Sequence, residues 1–267
     1  MNRKKDNVKL IFELILFSIG FSIFIAYLIH FFFYVDGYFQ FNEWMTSIVG
    51  LTGALIGGII TMAGVVYTLN SNISDKENET NDKIKKIKFI LKYEIETFVN
   101  SLENEILNYT EKSLNNSKDY LKYNQNKNKF KRDNLYKMDI RFKEYMYDLI
   151  LLDNNLNGES NNNIDENLIE LYKNYSILIE KDFKTVSNID DIESILYSFL
   201  DIRYVILIDQ TIKMNNIDTL DNIIHFLEDK EKIFENEILA LKKDIKEKKN
   251  HNSYNLGNII DYLEGDL

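Results

Sequence analysis

Residues 44–69 read WMTSIVGLTGALIGGIITMAGVVYTL, 26 residues in succession without a charged side chain. About 20 apolar residues in a helix, rising 1.5 Å each, cross a hydrocarbon core of about 30 Å, so this stretch is long enough to span a bilayer. A second uncharged run of 22 residues lies upstream, LILFSIGFSIFIAYLIHFFFYV from Leu14 to Val35. It is apolar on every helical face, which suits lipid better than a one-sided globular core. Its basic start (Arg3, Lys4, Lys5) would fit a secretory leader. However, the run far exceeds the roughly 7–15 residues of a leader core, and no small-residue cleavage motif follows. A retained anchor is expected.

Orientation follows from the basic residues. Arg3, Lys4, Lys5 and Lys9 precede the first run, and Lys76, Lys83, Lys85, Lys86 and Lys88 follow the second, whereas the connection from Val35 to Glu43 has no Lys or Arg. Positive flanks stay on the cytoplasmic side. The expectation is a multi-pass membrane protein with both termini cytoplasmic and a short outer loop. Phe31, Phe32, Phe33, Tyr34, Tyr38, Phe39, Phe41 and Trp44 surround that loop, at the headgroup level where amphipathic rings collect. Glu13 and His30 lie near the two ends of the first span, close enough to an interface to act as anchors and also placed for ion passage or pH sensing.

Small residues recur along the second span. Gly53, Gly57 and Thr61 fall four apart, and Gly50, Ala54 and Gly58 form a neighbouring stripe. Such spacing lets two helix backbones approach closely, which is where association energy arises in lipid. The stripes fit packing against the first span of the same chain or against a second copy.

Beyond residue 69 the character changes. The whole chain of 267 residues has a net charge of -10 and no proline, and seven of its ten glycines fall before residue 65. Apolar residues at Ile84, Ile87, Leu91, Ile95, Phe98, Leu102, Ile106 and Tyr109 follow a 3.6-residue period and predict an amphipathic helix. Further helical patterns run over Ile140–Leu152, Leu168–Val186, Ile192–Ile212 and Ile217–Ile245, with Asp190 and Glu193 spaced as a capping box. Asn-rich stretches at 124–128 and 154–163 read as loops. The expected architecture is all-α: segment 1–9, first span 10–35, outer loop 36–43, second span 44–69, juxtamembrane segment 70–83, and a cytoplasmic helical domain over 84–267. The juxtamembrane segment fits either a flexible link or an exposed continuation of the second span.

The last long pattern is heptad. Ile217, Ile224, Glu231, Ile238 and Ile245 occupy position a, and Leu220, Leu227, Phe234 and Leu241 position d. Ile at a with Leu at d favours a parallel two-stranded coil, in which Lys230 would face Glu235 of a partner and Glu237 would face Lys242. A helix folded back on its own domain fits the same pattern. Residues 118–143 also stand out, with nine basic side chains, Lys118, Lys122, Lys127, Lys129, Lys131, Arg132, Lys137, Arg141 and Lys143, against three aspartates. Tyr120, Tyr123, Phe130, Tyr136 and Phe142 interleave them. Basic and aromatic residues together bind nucleic acid or anionic headgroups. They equally fit a helical face paired with the acidic remainder of the domain.

Reaction chemistry is missing from the sequence. With no cysteine and three histidines there is no thiol nucleophile and no thiolate metal site. No phosphate-binding glycine loop, HExxH or GxSxG pattern is present. A non-enzyme is expected, without cofactor, metal or catalytic residues, whose partners are the lipid bilayer, further copies of itself, and a protein or anionic ligand at the cytoplasmic domain.

The two-span arrangement, with VGLTGALIGGIITMAGVVYTL as its second helix and a charged helical domain behind it, resembles membrane-anchored proteins of bacterial phage-defence and abortive-infection systems. The resemblance covers the first 70 or so residues. It implies an effector in which the cytoplasmic domain senses infection and oligomerised spans perturb the inner membrane. A tether holding a protein or nucleic acid at the membrane, or a small channel accessory, would fit the same layout.

Overall fold

A computed structural model describes residues 13, 16–17, 19–21, 23–25, 27–28, 31, 41–125, 130–157, 162–180, 189–249 and 252–265. The described residues are all-α. The chain divides into two compact units, Met1–Glu79 and Thr80–Leu267.

In the first unit, the described residues between 13 and 31 are helical. Stacked ring pairs one turn apart line that run: Phe17 on Phe21 at 6.1 Å and Tyr27 on Phe31 at 6.4 Å. The rest of the first predicted span, His30 included, and residues 36–40 of the predicted outer loop lie outside the described residues. The helix α1, Phe41–Lys118, begins three residues before the predicted second span. From Thr46 onward it is long and apolar enough to cross a membrane, and its apolar window is uncovered by other described parts of the chain. Residues 70–83 are helical and almost entirely exposed, so the juxtamembrane segment is a continuation of the span's helix rather than a coil.

The second unit is built on the remainder of α1. All eight residues of its predicted stripe, from Ile84 to Tyr109, are buried, because the 3.6-residue period keeps them on one face. Around that face lie α2 (Tyr120–Gln125), a 3-10 turn at Arg132–Asn134, α3 (Phe142–Asn157), α4 (Asn162–Glu180), α5 (Ile189–Tyr197), α6 (Ile202–Asn215), α7 (Leu220–Lys246) and α8 (Tyr254–Glu264). Neighbours pack in order: α3 on α4, α5 on α6 and α6 on α7, while α8 returns to α4. Phe98 is central, meeting Tyr175 edge-on at 5.0 Å and Phe199 at 5.2 Å. Thr110 and Thr211 are wholly buried and bonded at 3.2 Å, where α1 faces α6 through small side chains.

Three expectations change. The pattern over Ile192–Ile212 is two helices, broken at 198–201. There the Ser253 hydroxyl donates to the Ser198 carbonyl at 2.9 Å and the Ser253 N–H to that of Phe199 at 3.3 Å, while the Asp201 carboxylate caps α6 by accepting from the Arg203 N–H. The proposed capping box places Asp190 inside α5, which starts at Ile189, so Asp190 is not its cap. Residues 154–157 and 162–163 of the second Asn-rich stretch are helical, which shortens that loop.

Candidate functional site

The small-residue stripes are open. A methyl group built on Gly50, Gly53, Gly57 or Gly58 would meet nothing within 4 Å. Ala54 is exposed as well, and the Thr61 hydroxyl turns back to donate to the Gly57 carbonyl at 2.9 Å, so it presents its methyl side outward. Among the described residues, therefore, the face Gly50, Gly53, Ala54, Gly57, Gly58 and Thr61 has no helix packed on it.

The basic segment is largely occupied by its own domain. Lys118 reaches Glu231 at 2.8 Å and Glu235 at 2.6 Å, Lys122 reaches Asp119 at 3.0 Å, Arg141 reaches Asp139 at 3.3 Å, and Arg132 donates to the Ile179 carbonyl. Lys131, Lys137 and Lys143 are exposed, and Lys127 and Lys129 lie outside the described residues. Four of the five interleaved aromatics, Tyr123, Phe130, Tyr136 and Phe142, are buried or packed against the core. Tyr123 is buried and donates to the Met214 and Ile217 carbonyls, Phe142 is buried against Tyr172, and Phe130 meets Tyr109 edge-on. They are core anchors rather than a platform for stacked bases.

What fastens this segment is a set of buried carboxylates that composition alone did not single out. Glu105 accepts from the Lys131 N–H at 3.2 Å and from the Asn134 amide at 2.9 Å. Glu94 accepts from the Asp139 N–H at 2.9 Å and the Tyr136 hydroxyl at 3.1 Å. Ser101 and the Tyr175 hydroxyl take the N–H groups of Tyr136 and Met138. The strap from 131 to 139 forms no regular ladder, so its buried donors need such side-chain acceptors. Charged residues on an amphipathic helix normally face water, and only the tertiary partner reveals that these do not.

Glu103, on the same helix, is also buried. Burial pushes its carboxyl up to about 7. Tyr204, buried on α6, is raised well above the ordinary phenol range by burial and next by the nearby Glu103 charge.

The heptad residues divide into two groups. Phe234, Ile238 and Leu241 are buried in the chain's own core, with Ile245 packed against it. Glu231, the acidic exception at position a, binds Lys118. Glu235 and Lys242, expected to face a partner, pair with Lys118 and Glu111 of the same chain. The second half of α7 thus folds back on its own domain. Leu220 and Ile224, in the first half, are uncovered, Leu227 is half-buried, and Ile217 precedes the helix.

An open groove of about 390 Å³ lies between α3 and α4, lined in part by Lys143, Met146, Tyr147, Ile169, Tyr172 and Lys173. A larger polar cleft of about 620 Å³ is lined by Asn163, Glu166, Asn167, Asn258, Asp261 and Tyr262, among others. Among the described residues, no group of three His, Asp or Glu side chains is placed to hold a metal ion. No protein-family model, curated protein or solved structure matches the chain.

Proposed function

We propose that this chain is a membrane-anchored, non-enzymatic effector, of the kind found in bacterial antiphage abortive infection. The cytoplasmic helical domain receives a signal, and self-associated spans then disturb the inner membrane. The observation that carries the reading is α1 itself. Its apolar part bears an open stripe of small residues, and its later part bears the core of the helical domain. One helix therefore holds both the surface for association in lipid and the scaffold of the sensing unit. The basic flanks at 3–9 and 76–88 support a hairpin with both termini in the cytoplasm.

Induced expression in bacteria, with a potential-sensitive dye as the readout, tests this. The expected result is depolarisation and growth arrest that depend on the spans. Unchanged potential and growth, with and without phage, would overturn it.

A further inference from the structure

Among the described residues, two uncovered apolar edges of the helical domain complement each other. The first is the α3/α4 groove. Met146, Tyr147, Ile169 and Tyr172 line it, Met146 wholly buried and Tyr147 and Ile169 43% and 42% exposed. Lys143 and Lys173 lie in the same lining, with Glu180 at one end. On α4 the lining runs from Ile169 to Glu180, about three helical turns. A groove of that length between two helices, lined by apolar side chains and two lysines, accepts an amphipathic helix with acidic residues beside its apolar face.

The second edge is such a helix. In the first half of α7, Leu220 and Ile224 are 40% and 43% exposed and one turn apart. Asp221 and Glu228, both exposed, lie three and four residues from Ile224, along one side of the apolar pair. Ile223 beside them is buried and holds α7 on its own domain, so this edge is presented by a fixed helix.

We infer that the first half of α7 in one copy docks into the α3/α4 groove of a second copy. Leu220 and Ile224 cover the apolar lining, and Asp221 and Glu228 meet Lys143 and Lys173. The exposure of both edges means that neither is covered by the other within one chain. The contact joins two different surfaces, so it propagates from copy to copy into a ring or a filament instead of closing as a two-fold dimer. A three-turn contact is smaller than the roughly 1,000 Å² of a stable interface. Confinement of the copies to one membrane raises their effective concentration and makes a weak contact sufficient. The inference rests on the reading of this chain as self-associating, and adds which surfaces meet.

The absence of cysteine makes the test clean. Full-length Leu220→Cys and Tyr147→Cys variants, distinguishable by an affinity tag, are reconstituted together into the same lipid vesicles and treated with a short membrane-permeant bis-maleimide. Cross-linking is expected between the two variants and not within either alone, and a chain carrying both cysteines should give a ladder of multimers. Adding Lys143→Glu and Lys173→Glu to the Tyr147→Cys chain should remove at least nine-tenths of the product. Adding Asp221→Lys and Glu228→Lys to the other chain should then restore it, which also requires both variants to be folded. If the unmodified chain has an oligomeric mass but the mixed product is missing, or if the reversal neither removes nor restores it, the docking is overturned and self-association stands. A strictly monomeric mass overturns both.

Discussion

Glu103 sits in the core of the helical domain, where burial favours its neutral form and raises its carboxyl to about 7 from an ordinary 4.5. The sign of the consequence is fixed. Between those values the folded chain holds the proton more firmly than the unfolded chain, so this group's contribution to stability falls as pH rises from about 4.5 and levels off above about 7. At about 1.4 kcal/mol per pKa unit, the ionised form costs up to about 3 kcal/mol. Asp139, held low chiefly by the Arg141 N–H, and Asp244, held low chiefly by the Arg203 guanidinium, act in the opposite sense. Their contributions are lost as pH falls below the ordinary carboxylate range, outside the window from about 4.5 to about 7 in which Glu103 acts. Thermal unfolding followed by circular dichroism should show the melting temperature of the native chain dropping across that window, and that of Glu103→Gln staying nearly flat. An equal drop in both would remove the assignment. Neighbouring ion pairs weigh far less: Lys118 and its partners Glu231 and Glu235 are each about a third or more exposed. Lys118→Ala should cost under about 1 kcal/mol, whereas Phe234→Ala, at the same helix's buried face, should cost about 3–5 kcal/mol. Comparable losses in urea titrations of the two variants would mean that α7 is held by charge rather than by packing.

At the scale of elements, periodicity carried the reading wherever one face of a helix meets the core. The stripe from Ile84 to Tyr109 is buried as its spacing requires, and the second half of the heptad pattern is buried too, though against its own chain. A heptad records that one face is covered and not whose surface covers it. The break at 198–201 was hidden because apolar residues continue in helical register through it, and the acceptors there are satisfied by Ser253, more than fifty positions along the chain. The helix α8 is missing from those expected on periodicity, although its signal is present: Ser253 caps it, and Leu256, Ile259, Ile260 and Leu263 follow at helical spacing, all buried. The glycine stripe of α1 yields a prediction at this scale. Substituting both Gly53 and Gly57 by Leu adds bulk where the structure has open space, so the monomer's helix should be unchanged while close approach of a second helix is blocked. Cross-linked mass in detergent should fall toward monomer and depolarisation on expression should be lost. Retention of both would exclude this face from the membrane contact.

The helical domain as a whole is closed by its C-terminal helix, a dependence no local pattern announces. Lys88, buried near the start of the domain, donates to the Gly265 carbonyl at 3.3 Å and lies 4.2 Å from the Tyr262 ring centre. Lys92 reaches Glu264 at 2.6 Å, and the Tyr262 hydroxyl donates to Asp153 at 2.9 Å. The first and last helices of the unit thus meet across nearly its full sequence, and α8 contributes Leu256, Ile259, Ile260 and Leu263 to the core. At about 2 kcal/mol for each buried aliphatic side chain, removing these four withdraws about 8 kcal/mol. That is comparable to the entire stability of an ordinary domain, about 5–15 kcal/mol. Ser253→Ala, which removes only the cap of the same helix, should cost about 1 kcal/mol and leave the domain folded. A chain ending at residue 252 should lose cooperative thermal unfolding and be cut rapidly by trypsin throughout 80–252, while the Ser253→Ala chain retains both cooperativity and resistance. If the truncated chain unfolds as sharply as the intact one, the core closes without α8, and the contacts of Lys88 and Lys92 are ornaments of a domain already complete.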